Sequence, residues 1–476
     1  MALLNSAAPR ADGRVVIYWM QQAQRAEDNH ALEAALALAN ELNVPVVALF
    51  VLQPGYPGAN LRHYTFMLEG LRTTAARLRA RGIGWATMLG DPRICVPEAV
   101  RQLHAAALIT DRGYLRHQRQ WRAGIATELT VQMLEVDTDC VIPCTLFPKE
   151  EYAARTLRPK YQRLLPEFLT PIIPLMPRVA PPPVLPRQFD VDDLPATLQM
   201  LHTDLSVPPS VSFCGGAEEA ERRLDDFIHA QLPRYREDHA DAAGNSGSHL
   251  SAYLHYGQLS PLQVALQVSE AGATDDLSVQ SYLDELLIRR ELSINFAWHN
   301  EQYDTPAGWP AWAHQTLDAH RADPRQGYYS HEQLAAGDTD DVLWNAMQQE
   351  LLATGEIHNY PRMLWAKKLL QWTECAEEAW DIAVNLNDRY ALDGRDASGY
   401  TGIAWCLAGK HDRPWPSRPI YGTVRYMATG NAGKHFNVSG YLVRVEGLSQ
   451  QANITKKERN HGTNDQRAAR HESCRH

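Results

Sequence analysis

The 476-residue chain has no run of about 18 apolar residues, and Met1 to Gly13 shows no succession of basic, apolar and small residues. Neither a membrane span nor a secretory leader is supported, so the expected location is the cytoplasm. The seven cysteines are odd in number and form no CxxC pair, which suits reduced thiols better than a disulfide framework or a zinc site; no metal is expected. Positive charge is also scarce: 46 Lys and Arg against 56 Asp and Glu give a formal charge of −10. That balance argues against a general polyanion coat and confines any nucleic-acid contact to a focused basic groove. Internal repeats are not evident. No GxGxxG follows the first apolar run, where Trp19-Met20-Gln21-Gln22 stands, so the fingerprint of an NAD-dependent dehydrogenase and the phosphate loop of an adenylate-handling enzyme are both missing.

What is present suits packed domains, since 45% of residues are hydrophobic and 21% charged. Val15–Met20, Val44–Leu52, Ile83–Leu89, Ala107–Asp111 and Val131–Val136 read as strands. Asn29–Leu42, Tyr64–Ala80, Pro97–Ala106 and Arg116–Leu129 read as the helices between them. Strands spaced by helices of that length predict an α/β, Rossmann-like domain with a parallel sheet over residues 14–170, after a flexible N-terminus at 1–13. A proline-rich linker follows at 171–216, with Pro181-Pro182-Pro183 disfavouring regular structure. From 217 to 445 the periodicity is mostly helical, and a polar tail at 446–476 is expected to be disordered.

Nine of the twelve tryptophans fall in the helical part: Trp298, Trp309, Trp312, Trp344, Trp365, Trp372, Trp380, Trp405 and Trp415. One helix ends near Gly355 and another starts near Pro361. If that second helix runs on, Trp365 and Trp372 share a face and stand about 10 Å apart along its axis. Such rings could relay an electron, although by spacing alone a heptad-spaced core stripe is the better reading. Ser248-His249-Leu250-Ser251 precedes a helix whose exposed amides could hold phosphate; simple capping by Ser248 or Ser251 explains it equally well. The stretch from Asn385 to Asp396 reads equally as a polar site or a solvated turn.

Taken together, the ordered stretches SHLSAYLHYGQLSP, SYLDELLIRRELSINF, LWNAMQQELLATGEIHNYPRMLWAKKLLQWT, LNDRYALDGRDASGYTGIAW and YGTVRYM closely resemble the class II cyclobutane pyrimidine dimer photolyases of the photolyase/cryptochrome family. The opening VVIYWMQQAQRAEDNHAL resembles their first strand and helix, and the likeness runs with gaps from about Arg14 to Val445.

The resemblance implies light-driven repair of cyclobutane dimers in UV-damaged DNA by a deoxyribodipyrimidine photo-lyase. Its non-covalent FAD would be reduced and anionic in the active form. Carried over by motif, Tyr235, Ser248, His249, Leu250 and Ser251 would hold the phosphate and ribitol part. Arg362 and Asp393 would form a buried pair beside the isoalloxazine, with Gly394 and Arg395 continuing that wall and Asn387 facing the reactive ring nitrogen. Trp365, Trp344 and Trp372 match the family's tryptophan relay, Trp365 innermost and Trp372 outermost. Glu285 would bond a flipped dimer, Met363 and Trp405 would form its apolar wall, and Arg425 would fill the gap left in the DNA. His239 stands where related chains often show arginine, so the loop 236–245 is assigned no second intruding residue. A basic strip should border the cavity. Whether the α/β domain holds an antenna such as 8-hydroxy-5-deazaflavin, another chromophore or none stays open, and a monomer is expected. The rival is a cryptochrome-like blue-light photoreceptor without repair.

Overall fold

The computed structural model describes residues 1–273 and 276–454. Six strands form one sheet: β1 (Ala2–Leu3), β2 (Val15–Met20), β3 (Val46–Leu52), β4 (Gly84–Leu89), β5 (Ala105–Asp111) and β6 (Gln132–Val136), in the order β1-β6-β5-β2-β3-β4. All pairings are parallel except β1 with β6. The central strands β2 and β3 are buried along their whole length, as apolar strands covered on both faces must be. Helices α1 (His30–Leu42), α2 (Leu61–Ala80), α3 (Pro92–Gln102) and α4 (Arg116–Glu128) connect them.

Three expectations about this half change. The N-terminus is not a loose arm: Ala2 and Leu3 pair with Glu135 and Leu134, and Asn5 donates to the Val131 carbonyl at 2.9 Å. Helix α3 begins at Pro92 rather than Pro97, because Asp91 accepts the Arg93 amide at 2.9 Å and Pro92 occupies the first turn; Pro97 then lies inside the helix. The proline-rich segment is not featureless. It carries the helix Leu194–Met200, capped by Asp193, and its strip at 186–188 pairs with Thr87 on the outer edge of β4.

The rest of the described chain is mostly helical, and its core also takes in residues before 171. Val141, Ile142, Phe147, Leu157 and Tyr161 pack in one cluster with Phe227, Tyr253 and Leu286. A second cluster surrounds Trp344, Trp365 and Trp380. Residues 438–454 are helical, so the expected tail begins inside a helix, pinned where Tyr441 donates to Glu350 at 2.6 Å; residues 455–476 lie outside the described residues.

The two halves are locked at the start of α2. The Arg62 side chain, 1% exposed, donates to the carbonyls of Pro208, Leu351, Leu352 and Tyr390, so one guanidinium satisfies the ends of two helices, Val342–Thr354 and Ala376–Tyr390. Burial pushes its pKa down to about 10. Asn60 donates to the Arg389 carbonyl at 2.6 Å, and the His63 ring meets the Ala391 carbonyl at 3.0 Å. Arg62→Ala therefore orphans four carbonyls and is expected to cost at least about 3 kcal/mol, read as a lower denaturant midpoint relative to the parent chain.

Candidate functional site

The polar residues of the Asn385–Asp396 stretch converge with the helix that starts at Asn359. Asn387 lies buried in the last turn of its helix, and Asp393 follows in a turn. Arg362 donates to both Asp393 oxygens at 2.8 and 3.0 Å and to Asn387 Oδ1 at 2.5 Å. Ser251 donates to Asp393 from a third element. Burial alone would raise the Asp393 pKa, but Arg362 and Ser251 outweigh it and hold the carboxyl below its ordinary value. Gly394 is dictated by space: a Cβ there would lie 2.7 Å from the Asn387 carbonyl.

An exposed strip runs next to this cluster. In the otherwise largely buried helix Ala397–Ala408, Ser398 and Gly402 are exposed and Trp405 is half-buried, and these positions share one helical face. A Cβ on Gly402 would meet nothing within 4 Å, whereas one on Gly399 would press on the Asn387 side chain at 3.0 Å. A polar wall of Arg362, Asp393, Asn387 and Ser251 beside an open strip of small residues fits a large cofactor with both polar and apolar edges.

His249 lies at the other end of the expected phosphate segment. Its backbone is left-handed at φ 53°, and its Nδ1 meets Glu356 at 2.6 Å while Nε2 meets the Asn245 carbonyl at 3.1 Å. Leu250 is buried in the core, and Ser248 is half-buried. Tyr235 packs edge-on against Phe227 and Tyr282. Sequence reasoning missed Glu356, although its position three residues before Asn359 in GEIHNY could have suggested it.

One assigned residue turns away. Arg395, also left-handed at φ 58°, sends its guanidinium to the Asp388 carbonyl, the His63 ring and the Tyr256 hydroxyl at 2.6, 2.9 and 3.3 Å. It thus lines a cavity between the C-terminal ends of β2 and β3 and the helical half, instead of continuing the Arg362–Asp393 wall. That cavity is walled by Trp19, Phe50, Tyr56 and Trp121, and three buried amide atoms on its lining have no hydrogen-bond partner among the described residues: Gln21 Nε2, Gln24 Oε1 and Gln53 Oε1. The C-terminal edge of a parallel sheet is where such folds take ligands, and orphaned polar atoms mark where one would bond.

Glu285 sits in a π-helical turn, Asp284–Arg289, set within a longer helical run. Such turns are frequent at functional sites. It is solvent-reachable with no hydrogen-bond partner among the described residues. Partial desolvation raises its pKa while Arg289 pulls it back. His239 is close enough to be felt by Glu285 and packs on Tyr235 at 5.5 Å. Met363 and Trp405 are half-buried, with the Met363 carbonyl against Cys406 Sγ at 3.8 Å. Arg425 is tied to Asp412 at 2.7 and 3.0 Å and lies over the Trp405 and Trp415 rings at 5.7 and 4.1 Å.

The tryptophans form a line, though not along one helix. The helix ends at Leu369, so Trp372 lies in the turn beyond it. Trp344 stands between the other two: it stacks on Trp365 at 6.3 Å and 6°, and meets Trp372 edge-on at 5.2 Å. All three are buried, and Tyr329, which sequence reasoning missed, touches Trp372 at 5.0 Å.

Comparison with known proteins gives a consistent result. The DNA photolyase family model matches residues 16–183. A deoxyribodipyrimidine photo-lyase of Methanothermobacter thermautotrophicus is 40% identical over 94% of this chain and 98% of its own. One from Arabidopsis thaliana is 36% identical over 93% and 90%. The crystal structure of a Sulfolobus tokodaii photolyase with two FAD molecules is similar with a TM-score of 0.68, at 17% identity, over 93% of this chain and 94% of that one.

The His249–Glu356 contact sets a pH window for stability. Burial disfavours the charged imidazole, yet Glu356 outweighs it, so His249's folded pKa is raised above 6.5 and its contribution fades as pH rises through the folded value. Burial likewise opposes ionised Glu356, yet His249 holds its pKa below 4.5, so that contribution fades as pH falls through the folded value. Thermal midpoints are expected to carry the full contribution between 4.5 and 6.5, and Glu356→Gln to remove the loss on the alkaline side.

Proposed function

The chain belongs to the DNA photolyase family, and on that footing we propose that its helical half binds FAD and a cyclobutane pyrimidine dimer side by side. The activity is that of a deoxyribodipyrimidine photo-lyase, a light-dependent carbon–carbon lyase that restores the two pyrimidines. Likeness over nearly the full length of both chains carries this reading, because it spans the α/β half and the helical half together. A flavin photoreceptor without repair is the weaker alternative, since it would have no use for Glu285, Met363, Trp405 and Arg425.

Bound beside the Arg362–Asp393–Asn387 cluster, FAD supplies the light-excited electron donor. Every other task falls to the chain. Arg362 and Asp393 would grip the flavin ring from one side, Asn387 could present either its amide donor or its acceptor, and Gly394 leaves room for close approach. Tyr235 and the segment from Ser248 to Ser251 would hold the phosphates and ribitol. Trp372, Trp344 and Trp365 would pass an electron inward to prepare the cofactor, with Tyr329 able to lengthen the line.

A base stacked inside a duplex is out of reach of such a site, so the lesion must be extruded from the DNA, as photolyases and other base-flipping enzymes do with their targets. Glu285 would bond the extruded pair, Met363 and Trp405 would pack against it, and Arg425 would fill the gap. The cavity at the sheet's C-terminal edge, with its aromatic walls and unpartnered amides, supports a planar antenna such as 8-hydroxy-5-deazaflavin, with Arg395 serving that ligand rather than FAD. The reading carries the expectation of a monomer acting in the cytoplasm; among the described residues no helix is long and apolar enough to cross a membrane.

Purified protein loaded with reduced FAD and mixed with dimer-containing DNA should clear dimers under blue or near-ultraviolet light and not in darkness. Equal persistence in both would reject the assignment. Glu285→Ala should weaken dark binding of dimer-containing DNA about tenfold, the loss of one charge-assisted hydrogen bond worth about 1.5 kcal/mol, and leave undamaged DNA unaffected.

A further inference from the structure

Two tryptophans on different helices, Trp365 and Trp405, pack in one cluster with the helix that carries Asn387, and their electrostatic surroundings differ. Trp365 donates its indole N–H to Gln348 Oε1 at 2.9 Å, and Trp344 donates to the Trp365 carbonyl at 3.0 Å. Both acceptors are neutral oxygens that favour a positive indole, and among the described residues no cation lies over either ring. Lys368 does lie over Trp372 at 5.1 Å, but Asp341 pairs with it at 3.3 Å.

Trp405 is different. The Lys367 ammonium lies 4.8 Å from its ring centre, on a residue with no exposed surface, and its one hydrogen bond is to the Cys406 carbonyl at 2.7 Å. Among the described residues no carboxylate pairs with Lys367. Asp412, bound to Arg425, is also felt by Lys367, but it makes no ion pair with the ammonium. Burial pushes the lysine's pKa down to about 8, so it remains charged at neutral pH. A fixed cation that close, in a poorly polarisable interior, opposes removal of an electron from the ring far more than it would in water.

We propose that Lys367 is a positioning charge that keeps Trp405 from giving up an electron, so that oxidation during cofactor preparation is confined to the Trp365–Trp344–Trp372 line. In the step at issue one electron leaves an indole ring and reduces the light-excited flavin, and an external thiol refills the hole. With Lys367 in place that electron comes from Trp365, and Trp405 stays intact to receive the lesion. The inference rests on the relay assignment made above.

The test uses the FAD-loaded full chain and reads the transient absorption of tryptophan radicals after a light pulse, with photoreduction in the presence of thiol as a second readout. Trp365→Phe should remove most of the radical signal. Adding Lys367→Met, or Lys367→Gln should the first disturb folding, should bring back roughly tenfold more radical than Trp365→Phe alone, and adding Trp405→Phe should remove it again. If neither Lys367 substitution restores radical in protein that retains flavin, the proposal is overturned and the relay assignment stands. If Trp365→Phe leaves radical yield undiminished, both are overturned.

Discussion

The start of α2 is the constraint on which the site depends. Arg62 ends two helices of the other half at once, and Asn60 and His63 hold the carbonyls of Arg389 and Ala391. Those carbonyls lead directly into the turn that delivers Asp393 to Arg362. The Leu392 amide adds a bond to the Gly355 carbonyl at 2.8 Å, joining that turn to the end of the neighbouring helix. A buried cation is costly unless its donors are used, and here backbone carbonyls that would otherwise be orphaned use them. The α/β half therefore does more than carry its own sheet: it fixes the spacing of the polar cluster in the other half.

The same economy appears in how charge is placed around the aromatic rings. Arg425, Lys367 and Lys368 each lie over tryptophan, but only those with a carboxylate partner are electrostatically quiet. The fold thus separates rings that pack from rings that could conduct, using side chains only one residue apart on a single helix.

Much of this was legible in the sequence because the relevant signals are local. Five apolar runs with helices between them predicted the parallel sheet, and the order of five long motifs predicted the family. The Arg362, Asp393 and Asn387 cluster was legible only through that likeness, since residues 25 and 31 positions apart show no spacing rule. Where prediction failed, a long-range contact decided the outcome. Ala2 and Leu3 have no strand-length pattern and become a strand only because β6 offers an edge. Trp372 fits a heptad spacing with Trp365, yet the helix stops at Leu369, and Trp344 from another helix completes the line. Arg395 follows Gly394 in sequence, but its left-handed backbone turns the side chain toward His63 on α2. Glu356 gave only a faint local signal because its partner His249 lies 107 residues away.

The sheet's margins have a consequence of their own. On one side β1 is only two residues long; on the other the strip at 186–188 occupies the amides and carbonyls of Thr87. Unsatisfied strand borders are templates on which a second polypeptide can add itself, the first step toward runaway polymerisation. With one border shortened to a stub and the other already claimed by its own proline-rich segment, this sheet leaves little for a stranger to grow on, even though its middle strands are among the most apolar stretches in the protein.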